Sequence, residues 1–205
     1  MIKETGVNPI EARDQWMECI RKDDTVPLEG LFQEDLSKDE WIRRIFDCCN
    51  RSHDAEKCLS YAIEWGINHI ENISNSDIMF IGDQSILIYA SCQDSHKCFS
   101  KLLEYVGDIR LKLSVDQKTA DCWTALHYCA YNSNKTGCQE LIGKGADVNA
   151  VDLNGYSPLI RAAEAASPEV LSIILAAKPD VNHQNHKKWA ALHFAGTPSI
   201  YSLVY

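Results

Sequence analysis

Three seven-residue segments in the C-terminal half of this chain start 33 residues apart. They are Thr124-Ala125-Leu126-His127-Tyr128-Cys129-Ala130, Ser157-Pro158-Leu159-Ile160-Arg161-Ala162-Ala163 and Ala190-Ala191-Leu192-His193-Phe194-Ala195-Gly196. A strict period of this size means stacked copies of one supersecondary unit, each burying its apolar face against its neighbours. Such a fold is quasi-one-dimensional and offers an extended concave surface rather than a catalytic pocket.

The 205 residues suit one solenoid of about six units at this period, and 45% of them are hydrophobic. The formal net charge is −9. An acidic surface repels phosphate backbones, so no nucleic-acid partner is expected. No apolar run reaches the length of a membrane span, and Met1-Ile2-Lys3-Glu4-Thr5 opens no signal peptide. Hence no membrane partner is expected, nor glycosylation at Asn72 or Asn134. Nine cysteines, an odd number without a secretion signal, argue for reduced thiols and a cytoplasmic and/or nuclear protein.

The clearest unit runs over 119–152. Thr124 is placed to cap a first helix, and Asn132-Ser133-Asn134 forms a loop. Cys138, Leu141 and Ile142 line one face of a second helix, which Gly145 ends. Asp152-Leu153-Asn154-Gly155 carries an Asn-Gly turn signal. The next unit, 153–185, starts both helices with Ser-Pro, at Ser157-Pro158 and Ser167-Pro168. Lys178-Pro179 replaces the Gly cap there. The period and the Thr/Ser-x-Leu-His-x-Ala pattern resemble the ankyrin repeat, and Ala146-Asp147-Val148-Asn149 is similar to that family's exit from the second helix. The resemblance implies an all-α solenoid of stacked helix-turn-helix units with short β-hairpin-like loops. It also implies protein binding, without naming the partner.

Earlier units are more divergent. Ser85–Ser91 repeats the first-helix pattern 39 residues before Thr124, so six extra residues are expected within 109–120, as a long connection or an extended helix. Trp41, Ile45, Cys48 and Cys49 mark a still earlier inner helix, with Cys48, Cys49 and Cys129 in the small-residue slot. Cys58, Leu59, Ala62 and Ile63 mark its outer partner, closed by Gly66. The division is a divergent N-terminal helix pair or cap at 1–37, then a repeat domain at 38–205. Its repeats lie near 38–81, 82–118, 119–152 and 153–185, with an incomplete unit at 186–205. In the cap, Trp16, Met17 and Ile20 mark one helix and Pro27-Leu28 with Leu31-Phe32 the other. The apolar end Ile200, Leu203, Val204 is too short to complete the last unit. Lys187–Tyr205 is therefore expected to be the least stable segment unless further residues or a partner cover it.

No cofactor is expected, and no enzyme: no phosphate loop, nucleophile elbow or H-E-x-x-H motif occurs. Cys48, Cys49, His53 and Cys58 match no metal-ligand spacing, and the small-residue slot already explains the first two. His127 and His193 occupy one slot two units apart, where a ring linking neighbouring turns outweighs a catalytic role. The residue after that slot faces the groove: Tyr89, Tyr128, Arg161 and Phe194. Trp123, Tyr156 and Trp189 precede the inner helices, where they cover the hairpin bases, and Tyr131 and Glu164 lie one turn further on. Aromatic residues and Arg dominate binding hot spots. Tyr128, Tyr131, Arg161 and Glu164 are thus the expected anchors for a protein or peptide partner, with a basic segment on that partner suggested by the net charge. Two functional readings follow. One is a non-catalytic adaptor or scaffold. The other is the recognition region, or a shortened form, of a larger regulatory subunit, ubiquitin-ligase adaptor or enzyme.

Overall fold

The computed structural model describes residues 9–25, 31, 36–50, 55–70, 80–81, 84–93, 95–108, 111 and 113–194. Among them, helices α1 (Pro9–Lys22), α2 (Lys38–Cys48), α3 (Glu56–His69), α4 (Ile86–Gln93) and α5 (His96–Glu104) precede the regular region. There α6 (Ala125–Tyr131), α7 (Lys135–Gly143), α8 (Pro158–Glu164), α9 (Pro168–Ala176) and a 3₁₀ turn (Ala191–Phe194) follow. The described strands are β1 (Phe80–Ile81) and β2 (Gln84–Ser85), a single antiparallel pairing of Phe80 with Ser85 and Ile81 with Gln84. The chain is an all-helical solenoid: α2, α4, α6, α8 and the 3₁₀ turn pack in sequence as an inner layer, and α3, α5, α7 and α9 as an outer one.

One hydrogen bond gives the register of every helix pair. The first N–H of the outer segment, from Ala55, Ser95, Asn134 or Ser167, donates to the carbonyl of Cys48, Ala90, Cys129 or Ala162. Those four acceptors are small and each is fully buried. Cys48 and Cys49 thus occupy the small-residue slot, as their positions suggest. Small side chains let adjacent inner helices approach closely, so contacts are made by many atom pairs at once. The free thiols join this packing: Cys98 Sγ donates to the Cys48 carbonyl at 3.3 Å, and Ser95 Oγ donates to that of Cys49 at 2.6 Å.

At the N-terminal end, α1 buries Trp16, Cys19 and Ile20, while Met17 is half-buried. Asp23 then accepts the N–H groups of Lys57 and Cys58 at 2.9 and 3.2 Å, capping α3 from a distant part of the chain. The second cap helix expected around 27–32 lies outside the described residues except for Leu31. That residue is a buried turn position whose carbonyl accepts from Arg44 Nη1 at 2.6 Å. Gly66 is required by packing, since a Cβ there would collide with the Trp41 ring. The six extra residues form a connection rather than a longer helix. α5 ends at Glu104, and the chain returns at Asp116, burying Leu111, Leu113 and Val115 on the way.

Non-glycine residues take the left-handed region at repeating positions. Cys122 (φ +60) and Lys188 (φ +66) match Gly155 (φ +78), and Lys178 (φ +56) matches Gly145 (φ +85). The chain therefore keeps the same bend after α9 with Lys178 in place of a Gly. Ser157 caps α8 by accepting from Ile160 N–H, whereas Ser167 makes no side-chain cap bond and Pro168 alone starts α9. The last unit opens on the 3₁₀ turn, with Leu192 and Phe194 half-buried. The remainder of that unit, 195–205, lies outside the described residues.

Two expectations follow from this architecture. Cys122→Gly and Lys178→Gly should each raise stability by about 0.5–1 kcal/mol, because glycine enters the left-handed region without a Cβ clash. Urea titration of the two variants is the check, and an unchanged or lowered midpoint in both would contradict it. The second concerns His127, which is fully buried. Thr124 N–H and hydroxyl approach its Nδ1 at 3.2 and 2.9 Å, and its Nε2 donates to the Tyr156 carbonyl at 3.0 Å. Burial holds its pKa down at about 4, from an ordinary value of 6.5. The unfolded chain therefore takes up this proton first as pH falls. The contribution is complete above pH ~6.5 and is lost between there and ~4, at on the order of 1 kcal/mol per pH unit. The stability gap between wild type and His127→Gln should shrink over that window in unfolding titrations.

Candidate functional site

The groove is built from hairpins that repeat with the same period as the helices. Thr119, Asp152 and Asn185 N–H groups donate to the carbonyls of Trp123, Tyr156 and Trp189 at 2.9, 3.0 and 2.9 Å. Neighbouring hairpins are joined by Leu153 N–H to Asp121 O and His186 N–H to Asn154 O, both 3.0 Å. Side chains repeat the stitching. Asp116 Oδ1 accepts from Asp147 N–H and Asn149 Oδ1 from Asp180 N–H, each at 2.8 Å. This places Trp123, Tyr156 and Trp189 at matching hairpin ends, where they cover the bases of the loops.

From there the rings join into one row. Trp123 meets Tyr128 at 4.7 Å and Tyr131 edge-on at 5.9 Å between centroids. The Arg161 guanidinium lies 4.4 Å from the Trp123 ring centre and 3.9 Å from that of Tyr156. Tyr156 meets Phe194 at 6.0 Å, and Phe194 meets Trp189 edge-on at 5.4 Å. Eight of the nine expected site residues thus come together: Trp123, Tyr128, Tyr131, Tyr156, Arg161, Glu164, Trp189 and Phe194. Tyr89 makes none of these ring contacts. Its ring packs on Phe46 at 5.1 Å, and burial raises its phenol pKa despite a hydrogen bond with Asn50.

The degree of exposure separates these residues. Tyr131 is 49% and Trp189 46% exposed. Glu164 is exposed, while Trp123, Tyr128, Tyr156 and Phe194 are half-buried. Arg161, expected to project into the groove, is instead only 9% exposed. Its Nη2 pairs with Asp152 Oδ2 and its Nη1 with Glu164 Oε2 at 2.8 Å, and its Nε is buried without a hydrogen-bond partner among the described residues. The physical reason is Asp152. Its Oδ1 caps the hairpin by accepting from Asn154 and Tyr156 N–H groups at 2.8 and 2.9 Å, leaving Oδ2 aimed at the guanidinium. The positions matching Asp152, Thr119 and Asn185, are uncharged, and the positions matching Arg161 hold Tyr128 and Phe194.

Sequence reasoning passed over Asp152 as a partner and missed the exposed apolar tips Leu153 (56%), Val181 (38%) and Val151 (37%). Comparing slots 33 residues apart would have flagged Asp152, Val151 and Leu153, though not Val181, whose slot also holds Val148. Leu153 stands where Ala120 and His186 stand, and Asp152 carries the only charge in its slot. The cysteines have the character of packed thiols. Burial pushes Cys92 up to about 11, and Cys58 and Cys138 up to about 12, so they stay protonated at neutral pH. His53 lies outside the described residues, among which no group of three potential metal ligands occurs. No helix of the described residues is long and apolar enough to cross a membrane.

Comparison with known proteins agrees with this geometry. The family described as ankyrin repeats (3 copies) matches residues 46–152 and 126–199. A B-cell lymphoma 3 protein homolog of Mus musculus is 34% identical over 123 residues, covering 57% of this chain and 26% of that protein. The B-cell lymphoma 3 protein of Homo sapiens is 34% identical over 111 residues, 54% of this chain and 24% of that protein. A diacylglycerol kinase iota of Rattus norvegicus is 29% identical over 108 residues but covers only 10% of that protein. The chain thus spans about a quarter or less of the length of these curated relatives. Ankyrin repeats generally mediate protein–protein interaction, and the resemblance to the kinase carries no statement about catalysis here. With the helix pairs, the hairpins and the family match in agreement, this chain belongs to the ankyrin-repeat family.

Proposed function

We propose that this protein is a non-catalytic adaptor or scaffold that binds a protein or peptide along the ring row of its groove. The observation that carries the reading is the continuity of that row from Tyr131 to Trp189, with its two end rings about half exposed. Large rigid rings bury much area at little entropic cost, which is why they serve as anchors. Tyr131 and Trp189 are the free anchors, Glu164 offers a carboxylate between them, and Trp123, Tyr128, Tyr156 and Phe194 form the floor. Arg161 holds the floor together. A basic segment on the partner fits the net charge of −9, and action in the cytoplasm or nucleus fits reduced thiols. The same reading takes 1–37 as an N-terminal cap and 38–205 as the repeats. The greater length of the relatives favours a second reading, in which this solenoid is the recognition part of a larger regulatory assembly.

The test uses a partner isolated by proximity labelling in cells. Tyr131→Ala and Trp189→Ala should each weaken its binding by about 1 kcal/mol or more while leaving the unfolding midpoint near that of wild type. Arg161→Ala should behave differently and lower stability by about 3–5 kcal/mol, since it strands the buried Asp152 carboxylate. Leu159→Ala, at a core position, is a second folding control with an expected cost of about 2–5 kcal/mol. Unchanged affinity in both ring variants would remove the groove as the binding surface.

A further inference from the structure

The last hairpin differs in charge from the two before it. Residues 181–194 contain no Asp or Glu, in a chain with 29 acidic residues against 20 Lys and Arg. His186, Lys187, Lys188 and Trp189 are all exposed, and Lys187 Nζ lies 6.0 Å from the Trp189 ring centre. The positions matching His186, Lys187 and Lys188 hold Leu153, Asn154 and Gly155 one repeat upstream, and Ala120, Asp121 and Cys122 two repeats upstream. Neither lysine belongs to any of the described ion pairs.

The loop that carries these cations is held rigidly. Asn185 Oδ1 accepts the N–H groups of Lys187 and Trp189 at 2.9 and 3.0 Å, and the Asn185 carbonyl accepts that of Lys188 at 2.8 Å. His186 N–H is tied to Asn154 of the preceding hairpin. Lys188 also holds φ +66, the position that Gly155 takes one repeat earlier at φ +78. A lysine therefore stands where the backbone favours glycine, so glycine can replace it and remove the cation without disturbing the turn.

We propose that this hairpin is a docking point for an acidic peptide segment, with carboxylates on Lys187 and Lys188 and an apolar neighbour on Trp189. The surface continues the groove through the Trp189–Phe194 contact, and the proposal rests on the groove reading only there. Charge complementarity selects the occupant. The cations are two and close together, which suits one or two carboxylates on a short segment. A nucleic acid would bring a dense row of phosphates against a chain of net charge −9.

The experiment is fluorescence anisotropy of a labelled hexaglutamate peptide with the full chain at low salt, with a labelled oligothymidylate in parallel. Reversal in Lys187→Glu/Lys188→Glu should weaken hexaglutamate binding about tenfold or more, because two attractions become repulsions. The charge-matched Lys135→Glu/Lys144→Glu pair, exposed at the first residue of α7 and just past its end, should leave it within about twofold, as screening limits the reach of surface charges. Lys188→Gly should weaken binding while unfolding no earlier than wild type, which separates loss of the cation from loss of the fold. The proposal is overturned if hexaglutamate does not bind, if both double variants weaken it equally, or if oligothymidylate binds more tightly. Hexaglutamate has no ring to dock on Tyr131, so its failure would leave the groove reading standing, and failure of the ring variants would leave this one standing.

Discussion

The structure depends on how closely its inner helices can approach one another. Cys48, Ala90, Cys129 and Ala162 are the residues that allow it, and each is fully buried. Their carbonyls also take the first N–H of the outer segment. A larger side chain in this slot would separate two inner helices and break that bond in the same step. The cysteines here and in the outer layer serve as small apolar groups, and burial keeps the thiols of Cys48 and Cys138 protonated. Close helices bring the hairpins into register, and registered hairpins bring the rings of successive repeats within contact distance.

A second constraint acts through the hairpins. Each turn needs a residue in the left-handed region, and the chain fills that position with Cys122, Gly155 and Lys188 in turn. The bond pattern stays the same while the chemistry at the tip changes. An acidic or apolar tip and a basic one are therefore mounted on the same rigid frame. A binding surface assembled in this way can vary its charge from one repeat to the next without altering the fold that presents it.

The centre of the ring row shows how one substitution changes the role of a position. Where neighbouring repeats have an uncharged hairpin residue and an aromatic residue in the two matching slots, this repeat has Asp152 paired with Arg161. The guanidinium lies between Trp123 and Tyr156, so cation–π contact and ion pairing act together on a buried side chain. The charge is neutralised within the protein. This makes the position a structural joint between two repeats and leaves the outward contact surface to Tyr131, Glu164 and Trp189.

Much of this was legible in the sequence. Spacing alone determined the helix pairs from Thr124 onward, the hairpins between them and the small-residue slot, because each unit sees the same neighbours and local pattern equals tertiary pattern. The residues that meet in the ring row were legible as a set for the same reason. What the sequence could not decide was which way a side chain turns when two partners compete for it. Arg161 reads as a groove residue by position, yet the free carboxylate oxygen of Asp152, nine residues earlier, draws it inside. Spacing puts Lys178 in the slot of Gly145, but only the backbone dihedrals show that it and Lys188 keep the left-handed conformation of the glycines they match. Whether six extra residues would lengthen a helix or fold back to bury Leu111, Leu113 and Val115 was likewise a matter of long-range packing. Period and composition act locally and survive in the sequence; partner choice among buried charges, strained turns and inserted loops is made only when distant residues meet.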